Sequence, residues 1–178
     1  MIVLRIISGK YRGRKIKGYD ILGTRPTMDR VKESIFGIIQ GYVKDSTVLD
    51  LFAGSGSLGL EAISNGARRL VLVDNNKKVT DVLKENIKSF DDDIDIITID
   101  YKKYLKTTLD KFDIIFLDPP YRAGLLNKAL KDIEERNLLN DGGIVICEFE
   151  NINVETNFLL FKEKKYGPKT VCIYKKNN

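Results

Sequence analysis

The sequence lacks several residue types on which common catalytic and metal sites depend. Its 178 residues include no histidine, which excludes a Ser-His-Asp triad, a Cys-His dyad and any His-ligated zinc or iron site, and we predict no metal. Only two cysteines occur, Cys147 and Cys172, each within an apolar run typical of a β-strand. We expect both to be small buried hydrophobic residues in a reducing compartment.

Long apolar runs are also absent. None approaches the roughly 18 residues of a membrane span, and Arg5 interrupts the N-terminal run, so we predict no signal peptide and no membrane span. We therefore expect a cytoplasmic protein without a membrane partner. Hydrophobic residues make up 43% and charged residues 31% of the chain, which is typical of a globular protein. The length predicts a single domain over residues 1–178, with an N-terminal extension at 1–45 and a core at 46–178.

Basic residues are concentrated at the two ends of the chain. Residues 1–49 contain ten Lys and Arg against four Asp and Glu, and residues 161–178 contain six against one. The region between them contains 14 against 20. Basic ends on a folded core indicate a polyanionic partner such as nucleic acid, although ordinary solvated lysines produce the same pattern.

The spacing of apolar residues predicts an N-terminal β-hairpin followed by a helix. Two β-like runs, Val3–Ile7 and Arg14–Lys17, flank a bend that contains glycine, which is typical of a hairpin. Further on, apolar residues recur at helical spacing from Thr27 to about Gly41, and this predicts an amphipathic helix capped by the threonine.

Beyond residue 47, apolar runs alternate with helical patterns. This alternation predicts an α/β fold with a doubly wound, mostly parallel sheet and helices on both faces. The C-terminal segment predicts an antiparallel hairpin at one edge, which brings the sheet to seven strands. The strands are predicted at Val48–Phe52, Leu70–Asp74, Ile94–Ile99, Ile114–Asp118, Ile144–Phe149, Phe158–Lys164 and Thr170–Tyr174, and the helices between them at Leu58–Asn65, Lys77–Phe90 and Leu125–Arg136.

The strongest local motif is a glycine-rich loop between a predicted strand and a predicted helix. Gly54, Gly56 and Gly59 form GxGxxG there, and such a loop lets the backbone approach a ligand at a helix N-terminus. Asp74 ends the next strand, where its carboxylate can accept hydrogen bonds from ribose hydroxyls; its alternative role is the N-cap of the following helix. The motif predicts a nucleoside-containing cofactor. GxGxxG alone does not choose between NAD and S-adenosylmethionine, but Asp50, at the end of the first core strand, favours a cofactor with a cationic amino group.

A second motif follows the fourth core strand. Asp118-Pro119-Pro120-Tyr121 lies where this strand ends, at the edge where open α/β sheets bind their ligands. The prolines stiffen the loop, so Pro119 offers a fixed carbonyl beside the Asp118 carboxylate, and Tyr121 offers an aromatic face. Two acceptors and a ring suit a planar base that carries an exocyclic amine. The alternative is a strand-terminating turn with a tyrosine in the core.

Six segments carry a resemblance to a known family. They are RIISGKYRGRKIK (Arg5–Lys17), TRPTMDRVKESIF (Thr24–Phe36), VLDLFAGSGSLGLEAISNGA (Val48–Ala67), VLVDNN (Val71–Asn76), FDIIFLDPPY (Phe112–Tyr121) and KKYGPKTVCIYK (Lys164–Lys175). Together they resemble the bacterial 16S ribosomal RNA guanine-N2 methyltransferases of the RsmD type over nearly the whole chain. Ser8 departs from the family where glycine is common, and Gly37 where asparagine is usual. The resemblance implies a class I, Rossmann-like methyltransferase that uses S-adenosylmethionine to modify the N2 amine of a guanine in small-subunit ribosomal RNA.

The resemblance also implies which residues bind the ligands. Asp50 and the glycine-rich loop would hold the methionine part of the cofactor, Asp74 the ribose and Asp100 the adenine amine. Residues Asp118–Tyr121 would hold the target guanine. A surface turn is the alternative role of Asp100, and helix capping alone would explain Thr27. The implied cofactor residues are Arg25, Thr27, Asp50, Phe52, Ala53, Gly54, Ser55, Gly56, Asp74, Asn75, Asp100 and Tyr101.

The N-terminal hairpin is the predicted RNA-binding element. A pocket for one base does not supply the affinity needed to find one nucleotide in a large RNA, so contacts to phosphates are required elsewhere. We expect a monomer that binds small-subunit ribosomal RNA or the assembling small subunit; the alternative is a hairpin whose charges are only solvated. The residues predicted to bind phosphates are Lys10, Arg12, Arg14 and Lys15.

Other functions stay open on the residues alone. An amino-methyltransferase acting on adenine N6 or cytosine N4 of RNA or DNA would use the same two motifs. An NAD-dependent oxidoreductase would need a proton donor or acceptor that a chain without histidine provides poorly, and binding of S-adenosylhomocysteine or of NAD separates the two. A non-catalytic RNA-binding module would explain the basic ends but not the pairing of the glycine-rich loop with the DPPY motif.

Overall fold

The computed structural model describes residues 3–18, 27–120 and 124–177. Within that part of the chain, no helix has the length and apolar character needed to cross a bilayer. The elements in chain order are β1 (Val3–Arg5), β2 (Lys15–Lys17), α1 (Thr27–Val43), β3 (Thr47–Asp50), α2 (Ser57–Ser64), β4 (Arg69–Asp74), α3 (Lys77–Ile87), β5 (Asp93–Thr98), α4 (Tyr101–Thr107), β6 (Phe112–Leu117), α5 (Leu125–Glu135), β7 (Leu139–Phe149), β8 (Leu159–Tyr166) and β9 (Lys169–Lys175).

Seven strands form the main sheet, in the order β5-β4-β3-β6-β7-β9-β8. The first five are parallel, and β9 and β8 add to the edge as an antiparallel hairpin. The predicted doubly wound sheet with a C-terminal hairpin is therefore confirmed. Strand order reverses between β3 and β6, and the cleft at the carboxyl ends of such neighbouring strands is where open α/β sheets bind ligands.

Helices cover both faces of the sheet because most core strands are apolar on both sides. Val48 and Ile114 pack on the face covered by α1, α2 and α3. Their chain neighbours Leu49 and Ile115 pack on the opposite face, with α4 and α5. This alternation assigns each side chain of a strand to one helix layer.

The N-terminal hairpin of β1 and β2 packs against α2 and α3. Gly9 approaches the end of α2 so closely that an added Cβ would lie 1.9 Å from the Ser64 carbonyl oxygen. The backbone N–H of Lys10 donates to the same oxygen at 2.8 Å. Ile6 and Ile16 are both buried. The predicted hairpin is confirmed, and its buried side chains join the core of the α1–α3 layer.

Both cysteines are buried, as predicted. Cys147 on β7 and Cys172 on β9 lie directly opposite each other in the antiparallel pair and are free thiols. Burial raises the pKa of both thiols, which lowers their reactivity.

One helix was not predicted from the apolar pattern. The segment Tyr101–Thr107 forms α4, which begins at its N-cap Asp100. Its seven residues give fewer than two full turns, too few for an apolar periodicity to stand out. Asp100 was the available signal, because aspartate is a preferred N-cap.

Several strand boundaries also differ from the sequence pattern: β1 ends at Arg5 rather than Ile7, and β8 ends at Tyr166 rather than Lys164. Two further differences have a local cause. The first core strand ends at Asp50 rather than Phe52, because the chain already turns into the glycine-rich loop. The last parallel strand begins at Leu139 rather than Ile144. The pairing of β6 and β7 shifts register in this stretch, and glycines at 142 and 143 hid the strand from a pattern based on apolar residues.

Candidate active site

The glycine-rich loop connects β3 to α2 over residues 51–56. Gly54 has a φ of +52°, and an added Cβ would meet no atom within 4 Å, so the backbone is open to a ligand there. At Gly59 an added Cβ would lie 2.8 Å from side-chain atoms of Leu70 and Leu72, so the absence of a side chain lets α2 pack closely on β4. One glycine thus gives access to a ligand and the other gives tight packing.

Asp74 connects the loop to the end of β4. Its carboxylate accepts hydrogen bonds from the backbone N–H of Gly54 at 3.1 Å and of Asn76 at 2.9 Å. The N-cap of α3 is Asn76, whose side chain accepts from the N–H of Lys78. The alternative interpretation of Asp74 as this helix cap is therefore wrong, and its proposed ribose contact stays a prediction.

Asp100 and Tyr101 lie at the end of β5. One carboxylate oxygen of Asp100 accepts from the N–H groups of Lys102 and Lys103. No described residue donates to its second oxygen, Oδ2. The Tyr101 ring packs against Phe52 with ring centroids 5.2 Å apart. The remaining predicted cofactor residues of this region comprise buried Ala53 and Gly56, half-buried Ser55 and exposed Asn75.

Three carboxylates lie at the carboxyl ends of adjacent strands. Asp50 ends β3, Asp118 directly follows β6, and Glu148 is the penultimate residue of β7. β6 pairs in parallel with both β3 and β7. Because side chains alternate along a strand, all three point to the face covered by α1–α3, as Phe116 and Ile146 do. These three residues are termed the carboxylate row.

Two members of the carboxylate row, Asp50 and Asp118, are poorly neutralised by the protein. Burial raises the pKa of Asp50 to about 7, opposed by one hydrogen bond from the N–H of Gly59 and reinforced by the negative charge of Asp74. The Asp118 carboxyl has its pKa raised to about 8, first by removal from water and then by the charge of Glu148, and the charge of Lys169 opposes this rise only in part. Both shifts reflect acceptors that are short of donors.

Glu148 was not identified from the sequence. Its Oε1 lies 2.5 Å from Nζ of Lys169 at the start of β9, and its side chain is only 12% exposed. A single acidic residue near the end of an apolar strand was the available signal, since Asp50 and Asp118 show the same pattern.

The structure describes only part of the predicted guanine-binding loop. Pro119 is buried and Pro120 is exposed. Arg25 and Tyr121 lie outside the described residues, and so does the Thr27 side chain, although the backbone of this residue begins α1. The roles of these last three residues stay predictions.

Comparison with known proteins identifies the family. The sequence profile of a family described as "Conserved hypothetical protein 95" matches residues 4–175. The chain is 40% identical over 164 residues to the "Ribosomal RNA small subunit methyltransferase D" of Buchnera aphidicola from Acyrthosiphon pisum, covering 89% of this chain and 86% of the relative. The chain belongs to this family, the RsmD family. The prediction of the family is therefore confirmed.

Solved structures agree with this family and with the predicted fold class. A protein described as "Putative methyltransferase yhhF from Escherichia coli" superposes with a TM-score of 0.87 at 33% identity, with 97% of each chain covered. The 16S rRNA N2 methyltransferase RsmC of Thermus thermophilus, solved with AdoMet and guanosine, has a TM-score of 0.75 at 20% identity over 99% of this chain and 50% of that one. The fold is that of class I S-adenosylmethionine-dependent methyltransferases.

The hairpin that opens this RsmD-family chain carries two kinds of cation. Lys10 forms an ion pair of 2.6 Å with Asp92, and the guanidinium of Arg14 stacks on the Tyr11 ring at 4.2 Å. Arg12 and Lys15 are exposed and form no ion pair within the described part of the chain. The four residues predicted to contact phosphates therefore differ in their surroundings: Lys10 and Arg14 contact other side chains of the protein, whereas Arg12 and Lys15 face solvent.

A buried ion pair connects two of the RsmD-like segments. Lys32 on α1 lies 3.2 Å from Glu61 on α2, and both side chains are almost fully buried. Glu61 also accepts from the backbone N–H groups of Ile7 and Ser8 and from the Ser8 hydroxyl. Lys32 donates in turn to the carbonyl of Arg5. The pair thus attaches the hairpin to the helix that follows the glycine-rich loop.

Proposed function

We propose that this protein transfers the methyl group of S-adenosylmethionine to the exocyclic N2 amine of a guanine in small-subunit ribosomal RNA. The observation that carries the proposal is the adjacency of two motifs. The glycine-rich loop and Asp74 lie at the ends of β3 and β4, and Asp118-Pro119 follows the neighbouring strand β6. The printed name of the Buchnera relative supports small-subunit ribosomal RNA as the substrate.

The residues at the ends of β3, β4 and β5 fit the cofactor. Asp50 would accept from its ammonium group, and its raised pKa is consistent with a carboxylate that lacks a cation. Asp74 would accept from the ribose hydroxyls, and the open Oδ2 of Asp100 from the adenine amine. The backbone at Gly54 has room for a close approach. When bound, the cofactor supplies an electrophilic methyl group.

Asp118 and Pro119 would align the nucleophile. A guanine amine is weakly nucleophilic because its lone pair is delocalised into the ring. Hydrogen bonds from its two hydrogens to the Asp118 carboxylate and the Pro119 carbonyl would favour a pyramidal nitrogen whose lone pair points at the methyl group. Transfer would then be an in-line displacement in which the bond from nitrogen to the methyl carbon forms as the bond from the sulfonium sulfur to that carbon breaks, and positioning and oriented acceptors would supply the catalysis. The nitrogen loses a proton only after transfer, when it is cationic.

The target base must leave its stack to reach this position, which costs a few kcal/mol. Contacts to the RNA backbone would supply the compensating affinity, and Arg12 and Lys15 are the predicted hairpin residues available for them. A monomer acting in the cytoplasm on RNA or on the assembling subunit is part of the same proposal.

Mass spectrometry of the methylated nucleoside tests this function. Small subunits from cells that lack the corresponding modification are incubated with the protein and isotopically labelled S-adenosylmethionine, and their RNA is digested to nucleosides. We expect label in N2-methylguanosine, in an amount that saturates near one methyl group per subunit.

Label in N6-methyladenosine or N4-methylcytidine would instead show an amino-methyltransferase of another base. Binding of NAD together with no binding of S-adenosylhomocysteine would favour the oxidoreductase. Tight RNA binding without cofactor binding would favour the non-catalytic module.

A further inference from the structure

Guanine, adenine and cytosine all carry an exocyclic amine, so an amine-binding loop does not by itself select among them. They differ at the ring nitrogen beside that amine. Guanine N1 carries a hydrogen and donates, whereas adenine N1 and cytosine N3 accept. A site that selects guanine therefore needs a hydrogen-bond acceptor next to the position of the amine, so that it can read the Watson–Crick edge.

Glu148 lies at that position. Leu117 pairs with Cys147 across β6 and β7, so the next residues along the two strands, Asp118 and Glu148, are lateral neighbours. Both point to the face covered by α1–α3. The Glu148 side chain is 12% exposed, so its carboxylate is largely removed from water, where an unmet acceptor is costly.

Lys169 fixes the orientation of this carboxylate. Its Nζ donates to Oε1 of Glu148 at 2.5 Å, and no described residue donates to Oε2. The Lys169 side chain is 34% exposed, and its positive charge also reaches Asp118, where it opposes the rise of the carboxyl pKa. An acceptor oxygen and an ammonium donor thus lie side by side near Asp118, and guanine presents N1–H and O6 as neighbouring groups beside its amine.

We propose that Glu148 and Lys169 are specificity-determining residues that bind N1–H and O6 of the target guanine while Asp118 and Pro119 hold its N2 amine. This inference rests on the proposed guanine-N2 methyl transfer. Adenine or cytosine bound by the same amine would place a ring lone pair against the Glu148 carboxylate, and the repulsion would exclude it.

Binding of two nucleosides tests the inference. Guanosine and 2-aminopurine riboside both carry the N2 amine, but 2-aminopurine has an acceptor at N1 and no O6. With S-adenosylhomocysteine bound, we expect the wild-type protein to bind guanosine at least about tenfold more tightly. In Glu148→Gln the guanosine affinity should fall by about tenfold. The affinity for 2-aminopurine riboside should stay the same or rise, because a glutamine amide can donate to its N1.

Asp141→Asn is the matched control. Asp141 and Lys176 form the corresponding ion pair of 2.7 Å at the opposite end of β7, and its loss should leave both nucleoside affinities unchanged. Lys169→Gln provides a second variant, which should weaken guanosine but not 2-aminopurine riboside. Unchanged binding of S-adenosylhomocysteine verifies that each variant is folded.

An equal fall in both affinities, no change in either, or no preference in the wild-type protein would overturn the inference. If the labelled product is N2-methylguanosine and one of these results is found, only the role of Glu148 and Lys169 fails. If the labelled product is N6-methyladenosine or N4-methylcytidine, the proposed function itself fails.

Discussion

The molecule contains two kinds of buried or half-buried carboxylate, which differ in how many hydrogen-bond donors the protein supplies to them. Glu61 pairs with the buried Lys32 and accepts further hydrogen bonds from the N-terminal hairpin. Asp50 is equally buried but accepts only one hydrogen bond within the described chain, from Gly59 at 3.2 Å. No described residue donates a hydrogen bond to Asp118. The carboxylate oxygens of Glu61 thus have donors within the protein, whereas Asp50 and Asp118 retain oxygens to which no described residue donates.

This difference separates the structural residues from the proposed ligand-binding residues. A buried carboxylate with all its donors stabilises the fold, whereas one without them is costly to ionise. The pKa values of about 7 for Asp50 and about 8 for Asp118 express that cost. The hairpin cations divide in the same way: Lys10 is engaged by Asp92, whereas Arg12 is exposed.

Breaking the satisfied pair should have the largest effect. Lys32→Met leaves the Glu61 charge buried without its cation, and we expect the free energy of unfolding to fall by about 3–5 kcal/mol. Turnover per folded molecule should change by no more than about threefold, because neither residue belongs to the proposed ligand site. Urea denaturation and methyl transfer at saturating cofactor measure the two quantities.

Lys131→Met is the control for this experiment. Lys131 pairs with Glu135 on α5, and both side chains are mostly exposed, so we expect less than about 0.5 kcal/mol. A loss below about 1 kcal/mol in Lys32→Met would contradict the structural role of the buried pair.

Removing an acceptor that lacks donors should lower activity and leave stability unchanged, the opposite of the result expected for Lys32→Met. In Asp118→Ala we expect methyl transfer to fall at least about a hundredfold, because the amine loses an acceptor that orients its lone pair. The affinity for S-adenosylhomocysteine should stay within about threefold, and the stability should not fall. Single-turnover kinetics and calorimetry measure these effects. Substantial turnover by the variant would show that Asp118 does not contact the amine.

The same comparison applies to the hairpin cations, where the expected effect on RNA affinity is smaller. In Arg12→Gln with Lys15→Gln, we expect the slope of log affinity for RNA against log salt to flatten by about 1.5 units. In Lys10→Gln with Arg14→Gln the slope should change by less than about one unit. The reason is that Lys10 already pairs with Asp92 and the Arg14 guanidinium already stacks on the Tyr11 ring. Equal slopes in both double variants and the wild-type protein would show that the hairpin does not bind phosphates.

Much of the fold could be predicted because it depends on local pattern. The alternation of apolar runs and helices gives the parallel sheet, and the glycine-rich loop and the DPPY motif each follow a strand end. Asp50, Asp74 and Asp118 could be identified for the same reason. Short α4 could not, since its seven residues carry too little periodicity.

The remaining features depend on contacts between distant parts of the chain. Lys32 and Glu61 are 29 positions apart, and Lys10 meets Asp92 across 82. Glu148 lies in an apolar strand without a motif, so only the pairing of β6 with β7 shows that it is next to Asp118. Sequence pattern names the groups that can bind a ligand, and tertiary contacts decide which of them the protein has already satisfied.

The most direct test of this division is proton release on cofactor binding. Asp50 has a pKa of about 7 in the unliganded protein, so about half of the molecules carry its proton at pH 7. An ammonium group beside the carboxylate would lower that pKa and expel the proton.

Calorimetry of S-adenosylhomocysteine binding at pH 7, repeated in buffers of different ionisation enthalpy, counts the protons released. We expect Asp50→Asn to release about half a proton fewer than the wild-type protein at pH 7, and the difference to shrink to about a tenth of a proton near pH 8, where Asp50 is already mostly ionised. Identical proton release by the two proteins at pH 7 would contradict the proposal that the Asp50 carboxylate accepts a hydrogen bond from the ammonium group of the cofactor.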